Sequence, residues 1–346
     1  MKHIVLQRKL SIPNLGSLFN RPLLVEKLKL YSQSPLTLVI APAGYGKTSL
    51  ICDWLQYTAH PIYWLSLDEQ NNIPSSFWLY LCASLRNIDR DLDTQAEQTL
   101  ETHYIEDYCL ISDLVLASLE KLSRKWNRPS QAVIVLDDFH VIQNKEILQL
   151  FTYFIDFIPA NIEVIMTTRF EPNLPISRWS VKNWVDQIYS SDLVFSYDES
   201  KIFFNAYMGL TLTDKQISEI FKKTEGWIAA MQLTALSASS TPDNEQKYLS
   251  THQLFADDRH FSDYILSEIL EHQTSETRGF LLETACLFRL NTDLCDHIRG
   301  KNDSKKILEN LFASNLFLIP LDKNQYWFRY HDMFRDALLK RARSTH

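Results

Sequence analysis

Residues Ala41–Thr48 read Ala-Pro-Ala-Gly-Tyr-Gly-Lys-Thr, and this octapeptide constrains the fold more than any other part of the chain. It matches G-x-x-x-x-G-K-[ST] with Ala41 in place of the first glycine. Gly44 and Gly46 admit backbone conformations closed to other residues. The stretch Pro42, Ala43, Gly44, Tyr45, Gly46 can therefore curl its N–H groups toward phosphate oxygens. Lys47 brings a cation to the β- and γ-phosphates, and the Thr48 hydroxyl can ligate Mg²⁺. Ser49 follows in a helix whose first turn carries partial positive charge. Such a loop needs a strand before it and a helix after it. Residues 37–41 form the short apolar, partly β-branched run of a buried parallel strand. Lys47 to Tyr57 reads as a helix with Leu50, Ile51, Trp54 and Leu55 inward. The motif predicts a purine nucleoside triphosphate ligand, ATP with Mg²⁺.

Further strands are expected at 61–67, 132–136, 162–168 and near 186–195, with helices at about 75–88, 107–126 and 144–157 between them. Strands alternating with helices imply a parallel α/β sheet. The third strand ends in Asp137-Asp138, which suits an acid pair at the nucleotide: Asp137 to hold Mg²⁺, Asp138 to orient the attacking water. Met166-Thr-Thr-Arg169 ends the fourth strand. Ligands gather at the carboxyl ends of parallel strands, so Arg169 is a candidate γ-phosphate sensor, with a surface salt bridge as the alternative.

Beyond residue 197 the pattern turns helical, with helices at roughly 198–208, 213–223 and 226–238, a polar loop at 237–244, and helices at about 260–272, 274–287 and 303–314. Strand-like runs at 316–321 and 326–330 flank Asp322-Lys-Asn-Gln, a hairpin signal, and a last helix starts near His331. Helices followed by a hairpin resemble a winged helix.

A net charge of −7 argues against a broad nucleic-acid surface, and the basic tail Lys340-Arg341-Ala-Arg343 reads as a solvated helix end. Direct DNA binding is not expected. Five cysteines without a C-x-x-C pair fit free thiols in a reducing cytosol. No run approaches a membrane span, and a cytoplasmic protein without a membrane partner is expected.

These pieces occur in a recognisable order. Lys9-Leu-Ser-Ile-Pro13, Asn20-Arg21-Pro, the loop at 41–49, Trp64-Leu-Ser-Leu-Asp-Glu69, Leu136-Asp-Asp-Phe-His140, Thr168-Arg169, Glu225-Gly-Trp-Ile-Ala-Ala-Met-Gln-Leu233 and Phe328-Arg-Tyr-His331-Asp-Met-Phe resemble the MalT-like large ATP-binding LuxR-type regulators, a branch of the signal-transduction ATPases with numerous domains (STAND). The resemblance implies a P-loop domain at 1–197, a helical bundle at 198–257 and a winged-helix domain at 258–346. It also implies a winged helix that packs on bound nucleotide rather than reading DNA. Arg21 would join the nucleotide contacts, and His331 would meet the ADP β-phosphate. Glu225 departs from a frequent Gly, and Ile228 from a frequent Pro. The family adds a repeat sensor for an inducer and a helix-turn-helix for DNA, which are not found in these 346 residues. The reading is an ADP-held closed switch that self-associates with ATP and resets by slow hydrolysis. Two alternatives stay open: a fast AAA-type motor with Arg178 as arginine finger, and an adaptor that binds nucleotide without hydrolysing it.

Overall fold

The computed structural model describes residues 5–31, 34–58, 60–86, 108–125, 132–239, 269–271, 273–314 and 316–344. The helix expected at 260–272 and the boundary at 257 lie essentially outside them, as does most of the loop at 237–244.

Two compact units form: residues 1–40 with 47–192, and residues 41–46 with 193–346. The first is built on five parallel strands, β1 (Leu36–Ile40), β2 (Ile62–Ser66), β3 (Ala132–Asp137), β4 (Ile162–Thr168) and β5 (Val185–Tyr189), in the order β2-β3-β4-β1-β5. β1, β3 and β4 are buried along their whole length. Strands flanked on both sides and covered on both faces have no reason to alternate polar with apolar residues, hence the continuous runs Leu-Thr-Leu-Val-Ile and Ala-Val-Ile-Val-Leu. The helix Lys145–Phe157, N-capped by the Asn144 side chain, presses Ile147, Phe151 and Phe154 into the core beside Phe77, Trp78 and Phe139.

Register fixes the chemistry at the sheet's carboxyl edge. β1 pairs Ile40 with Thr168 of β4, and β3 pairs Leu136 with Met166 of β4. Asp137 and Thr167, one residue further along, therefore end side by side. The fifth strand is shorter than expected, because the chain turns into helix at Ser190–Leu193 straight after Tyr189. Asp192 accepts the Tyr189 N–H and pairs with Lys27, which stops the strand there. Helices Pro22–Tyr31, Ile176–Val181 and Thr292–Arg299 were not foreseen; the second is only six residues long, too short for a periodic pattern.

In the second unit the helix Tyr197–Lys201 opens with a Ser196–Glu199 capping box and runs into a wider turn that ends with Met208 N–H bonded to Phe203 O. Helix Asp214–Thr224 starts with a Thr213–Gln216 capping box and ends at Glu225, at φ 51°. Gly226 follows at φ 77°, and helix Ile228–Ser239 begins two residues on. The winged helix is Ser275–Thr284, Thr292–Arg299 and Ser304–Ala313, then hairpin β6 (Leu318–Pro320) and β7 (Phe328–Tyr330), then Asp332–Ser344. Asp322 closes the hairpin by accepting the N–H groups of Tyr326 and Trp327. Among the described residues, no helix is long and apolar enough to cross a membrane.

Candidate functional site

β3 carries Asp137 to the sheet edge with only 5% of its surface exposed. Its Oδ1 accepts from the Thr167 hydroxyl at 2.6 Å, and its two oxygens lie 3.0 and 3.1 Å from the Thr48 hydroxyl. Thr48 and Asp137 are 89 residues apart in sequence, so the sheet alone brings them together. Burial raises the Asp137 pKa and Asp138 adds to the rise; the hydroxyls of Thr167 and Thr48 and the charge of Lys47 oppose it. Asp138 follows in the left-handed region at φ 60°, where a non-glycine residue is costly. Its N–H is held by the Thr167 hydroxyl at 2.8 Å. One threonine thus anchors both acids, through its side chain on Asp137 and through the backbone of Asp138. The Asp138 carboxylate is itself 47% exposed and stands 3.6 Å from His140 Nδ1.

Lys47 begins the helix Lys47–Leu55 and is buried. Burial pulls its pKa down to about 8, with Asp138 and Asp137 pushing it up and Arg169 pushing it down. Lys47, Asp137, Asp138 and Arg169 thus share one electrostatic neighbourhood. Ser49 is exposed on the same helix. Arg21 is buried on the opening segment, and its backbone N–H donates to Asp53 of that helix. Arg178 is engaged elsewhere: its guanidinium grips Asp156, which also accepts from Trp179.

The loop proper belongs to the second unit. Gly44 and Gly46 both stand at φ 75°, as a phosphate-wrapping turn requires. Gly44 O accepts the Ala229 N–H at 3.0 Å, at the start of helix Ile228–Ser239. A Cβ at Gly46 would lie 3.0 Å from Ile228 Cδ1. Tyr45 is buried and stacks on Trp227, with Phe317 beside both. His331 meets the edge of Trp227 and of Phe317. Its Nε2–H donates to Thr224 O at 3.0 Å. Nδ1 is buried without a hydrogen-bond partner among the described residues. Burial lowers the His331 pKa, against Glu225, which raises it.

The residues fit a magnesium nucleotide chemically. A buried carboxylate beside a hydroxyl offers the hard oxygen donors that Mg²⁺ prefers, and a helix-borne lysine follows two left-handed glycines. Among the described residues, no three His, Cys, Asp or Glu side chains cluster as a metal cage, so such an ion would complete its shell with water and phosphate. Thr167 escaped the sequence reading, which singled out Arg169 from the same tetrapeptide; only the register of β3 on β4 identifies it.

Deprotonation of Lys47 gives a pH test. With Lys47 at the phosphates, as the sequence reading expects, phosphate charge beside the ammonium would raise its pKa above the free-protein value near 8, and binding would favour the protonated form. ATP affinity is then fully present below pH 8 and is lost as pH rises through and above it, by up to about tenfold per unit. Titrations from pH 7 to 9.5 measure the slope, and a flat profile would contradict the placement of Lys47.

Comparisons with known proteins agree with this architecture. Residues 266–346 match the MalT winged helix domain family. The HTH-type transcriptional regulator MalT of Serratia proteamaculans (strain 568) is 31% identical over 341 residues, which is 98% of this chain and 37% of that protein. The MalT of Yersinia enterocolitica serotype O:8 gives the same identity and coverage, 31% over 341 residues with 98% and 37%. The chain thus spans about 37% of the length of these curated relatives. Among solved structures, the Walker-type ATPase of Pyrococcus abyssi superposes with a TM-score of 0.63 at 15% identity, over 93% of this chain and 96% of that one, a likeness of fold.

Proposed function

We propose, from the premise that this is a MalT-like chain with an N-terminal P-loop NTPase domain of the STAND kind and a C-terminal winged helix, that it is the nucleotide-controlled switch of a transcription regulator. The observation that carries the reading is the attachment of the loop Ala41–Gly46 to the helical segment 227–229 and to the aromatic cluster of Phe317 and His331. A downstream domain packed on a phosphate loop can report what the loop holds.

In this reading the loop amides and Lys47 bind the phosphates, and Thr48 with Asp137 holds Mg²⁺. The ion, when bound, neutralises charge on the β- and γ-phosphates. Thr167 keeps Asp137 aimed and fixes the backbone of Asp138, whose exposed carboxylate orients water for a slow hydrolysis. Arg169 senses the γ-phosphate, and Arg21 contributes to nucleotide binding. His331 favours ADP. Since its Nε2–H is committed to Thr224 O, a phosphate oxygen would have to be met from Nδ1, which carries a proton only in the imidazolium. Burial lowers the His331 pKa and works against that form; Glu225 opposes the burial, and the charge of the phosphate itself would supply the rest. ATP favours an open, self-associating form; inducer and DNA are engaged by other parts of the regulator. The three-part division at 197 and 257 and a cytoplasmic location belong to the same proposal.

The purified chain is expected to release ADP on denaturation and to turn ATP over slowly. His331→Ala should weaken ADP roughly ten- to a hundredfold, the worth of a charge-assisted hydrogen bond, with ATP nearly unchanged. Competition titration of both nucleotides decides it: equal losses, or none, would remove His331 from the site, and fast turnover would make the chain a motor.

A further inference from the structure

Three consecutive residues at the end of helix Asp214–Thr224 are tied to the winged helix. Lys223 Nζ lies 3.6 Å from Asp336. Thr224 O accepts from His331. Glu225 takes Arg329 in a two-pronged pair, at 2.7 and 2.6 Å from Nη1 and Nη2. The next residues hold the phosphate loop, through Trp227 on Tyr45, Ile228 against Gly46 and Ala229 N–H on Gly44 O. Seven residues, 223–229, therefore grip the winged helix with one half and the loop with the other.

Glu225 is the unexpected member. It caps the helix in the left-handed region, a place where glycine costs least. The chain accepts that strain and gains a carboxylate aimed at β7. Burial works to raise the Glu225 pKa and is outweighed by the Arg329 hydrogen bonds, then by the charges of His331 and Arg329 and the Asp332 N–H, so the group stays ionised. The two side chains are 29% and 26% exposed, sheltered enough for a bidentate pair to exceed an ordinary surface bridge. Asp332 also stands 3.7 Å from Arg329 and helps to hold it in place.

We propose that residues 223–229 are the coupling element of the switch and that the Glu225–Arg329 pair is its clasp, holding the winged helix to the segment that carries the phosphate loop. The proposal deepens the switch reading and rests on it for its biological consequence, but the mechanical link itself can be tested without nucleotide. With the clasp closed, a displacement of the loop is passed through Trp227 and Glu225 to β7 and the helix behind it. With the clasp open, the two move independently.

Glu225→Gly is the informative variant, because it removes the carboxylate while relieving the left-handed strain. It should fold with an unchanged or slightly higher melting temperature. Hydrogen exchange on the nucleotide-free chain should then show segments 224–231 and 328–336 both exchanging at least about fivefold faster: the Ala229 amide is bonded to Gly44 O of the loop, and the His331 amide, bonded to Phe317 O, lies beside Arg329 in the strand end that the clasp holds. The charge exchange Glu225→Arg with Arg329→Glu should restore most of the protection that either single change removes. Unchanged exchange in both segments would overturn the clasp, and faster exchange in 328–336 alone would overturn the coupling. A chain that binds no nucleotide would sink the switch reading, yet would leave the exchange result to decide the clasp by itself.

Discussion

Lys47→Ala is expected to abolish measurable ATP binding while leaving the fold intact. In the proposed reading the lysine faces two phosphates, and each charge-assisted contact is worth about 1.5–3 kcal/mol, so the expected loss exceeds roughly a hundredfold in affinity. Stability should not suffer in proportion. Burial already disfavours the ammonium, as its lowered pKa near 8 shows, and removing a cation that the fold desolvates returns part of that cost. The paired carboxylate does not become orphaned, because Asp137 keeps the Thr167 and Thr48 hydroxyls. Calorimetric titration together with a thermal melt reads both effects. An ATP affinity within a few-fold of wild type would sink the loop assignment, and a collapse of the melt would show that Lys47 is structural.

Gly226→Ala should be strongly damaging to the second unit. At φ 77° an alanine pays about 1–2 kcal/mol for the left-handed backbone. The added Cβ would also stand 2.4 Å from Phe195 O and 3.2 Å from Phe195 N and Val194 Cβ. Backbone cannot yield there, because Phe195 N–H donates to Gly226 O at 2.9 Å. Strain and overlap together reach about 3 kcal/mol or more, a fall of roughly 6–12 °C in melting temperature for a unit of this size. Gly209 is the control: it has φ 68° but nothing within 4 Å of its would-be Cβ, so Gly209→Ala should lose only the backbone part. Equal losses at the two positions would mean that Phe195 does not wall in Gly226. Because Trp227 is the next residue, the Gly226 variant should also disturb Tyr45 and, with it, the phosphate loop.

Much of the candidate site's local geometry was legible in residue order because its pieces are contiguous. The loop, its strand and its helix are contiguous, and the glycines at 44 and 46 do take the left-handed conformation that a phosphate turn requires. Asp137 ends a strand, as the apolar run before it implied. The hairpin at 318–330 followed from Asp322, whose carboxylate closes the turn. Where the signal weakened, the element was short or its end was set by a distant partner. β5 stops at Tyr189 because Asp192 and Lys27, 165 residues apart, meet beside it.

Consecutive residues were enough for the period and some local turns: parallel strands from unbroken apolar runs, helices beginning near 198 and 213, and a turn with two left-handed glycines before a helix. These depend on backbone sterics and nearest neighbours, which are written in consecutive residues. Tertiary structure alone decided the strand order β2-β3-β4-β1-β5, and with it the meeting of Thr48, Asp137 and Thr167 from three separate elements. It also decided that Glu225, read as a departure from glycine, would find Arg329 across 104 residues. Such pairs carry no periodic signature, because the chain can bring any two sufficiently distant residues together and only packing of the whole selects which ones meet.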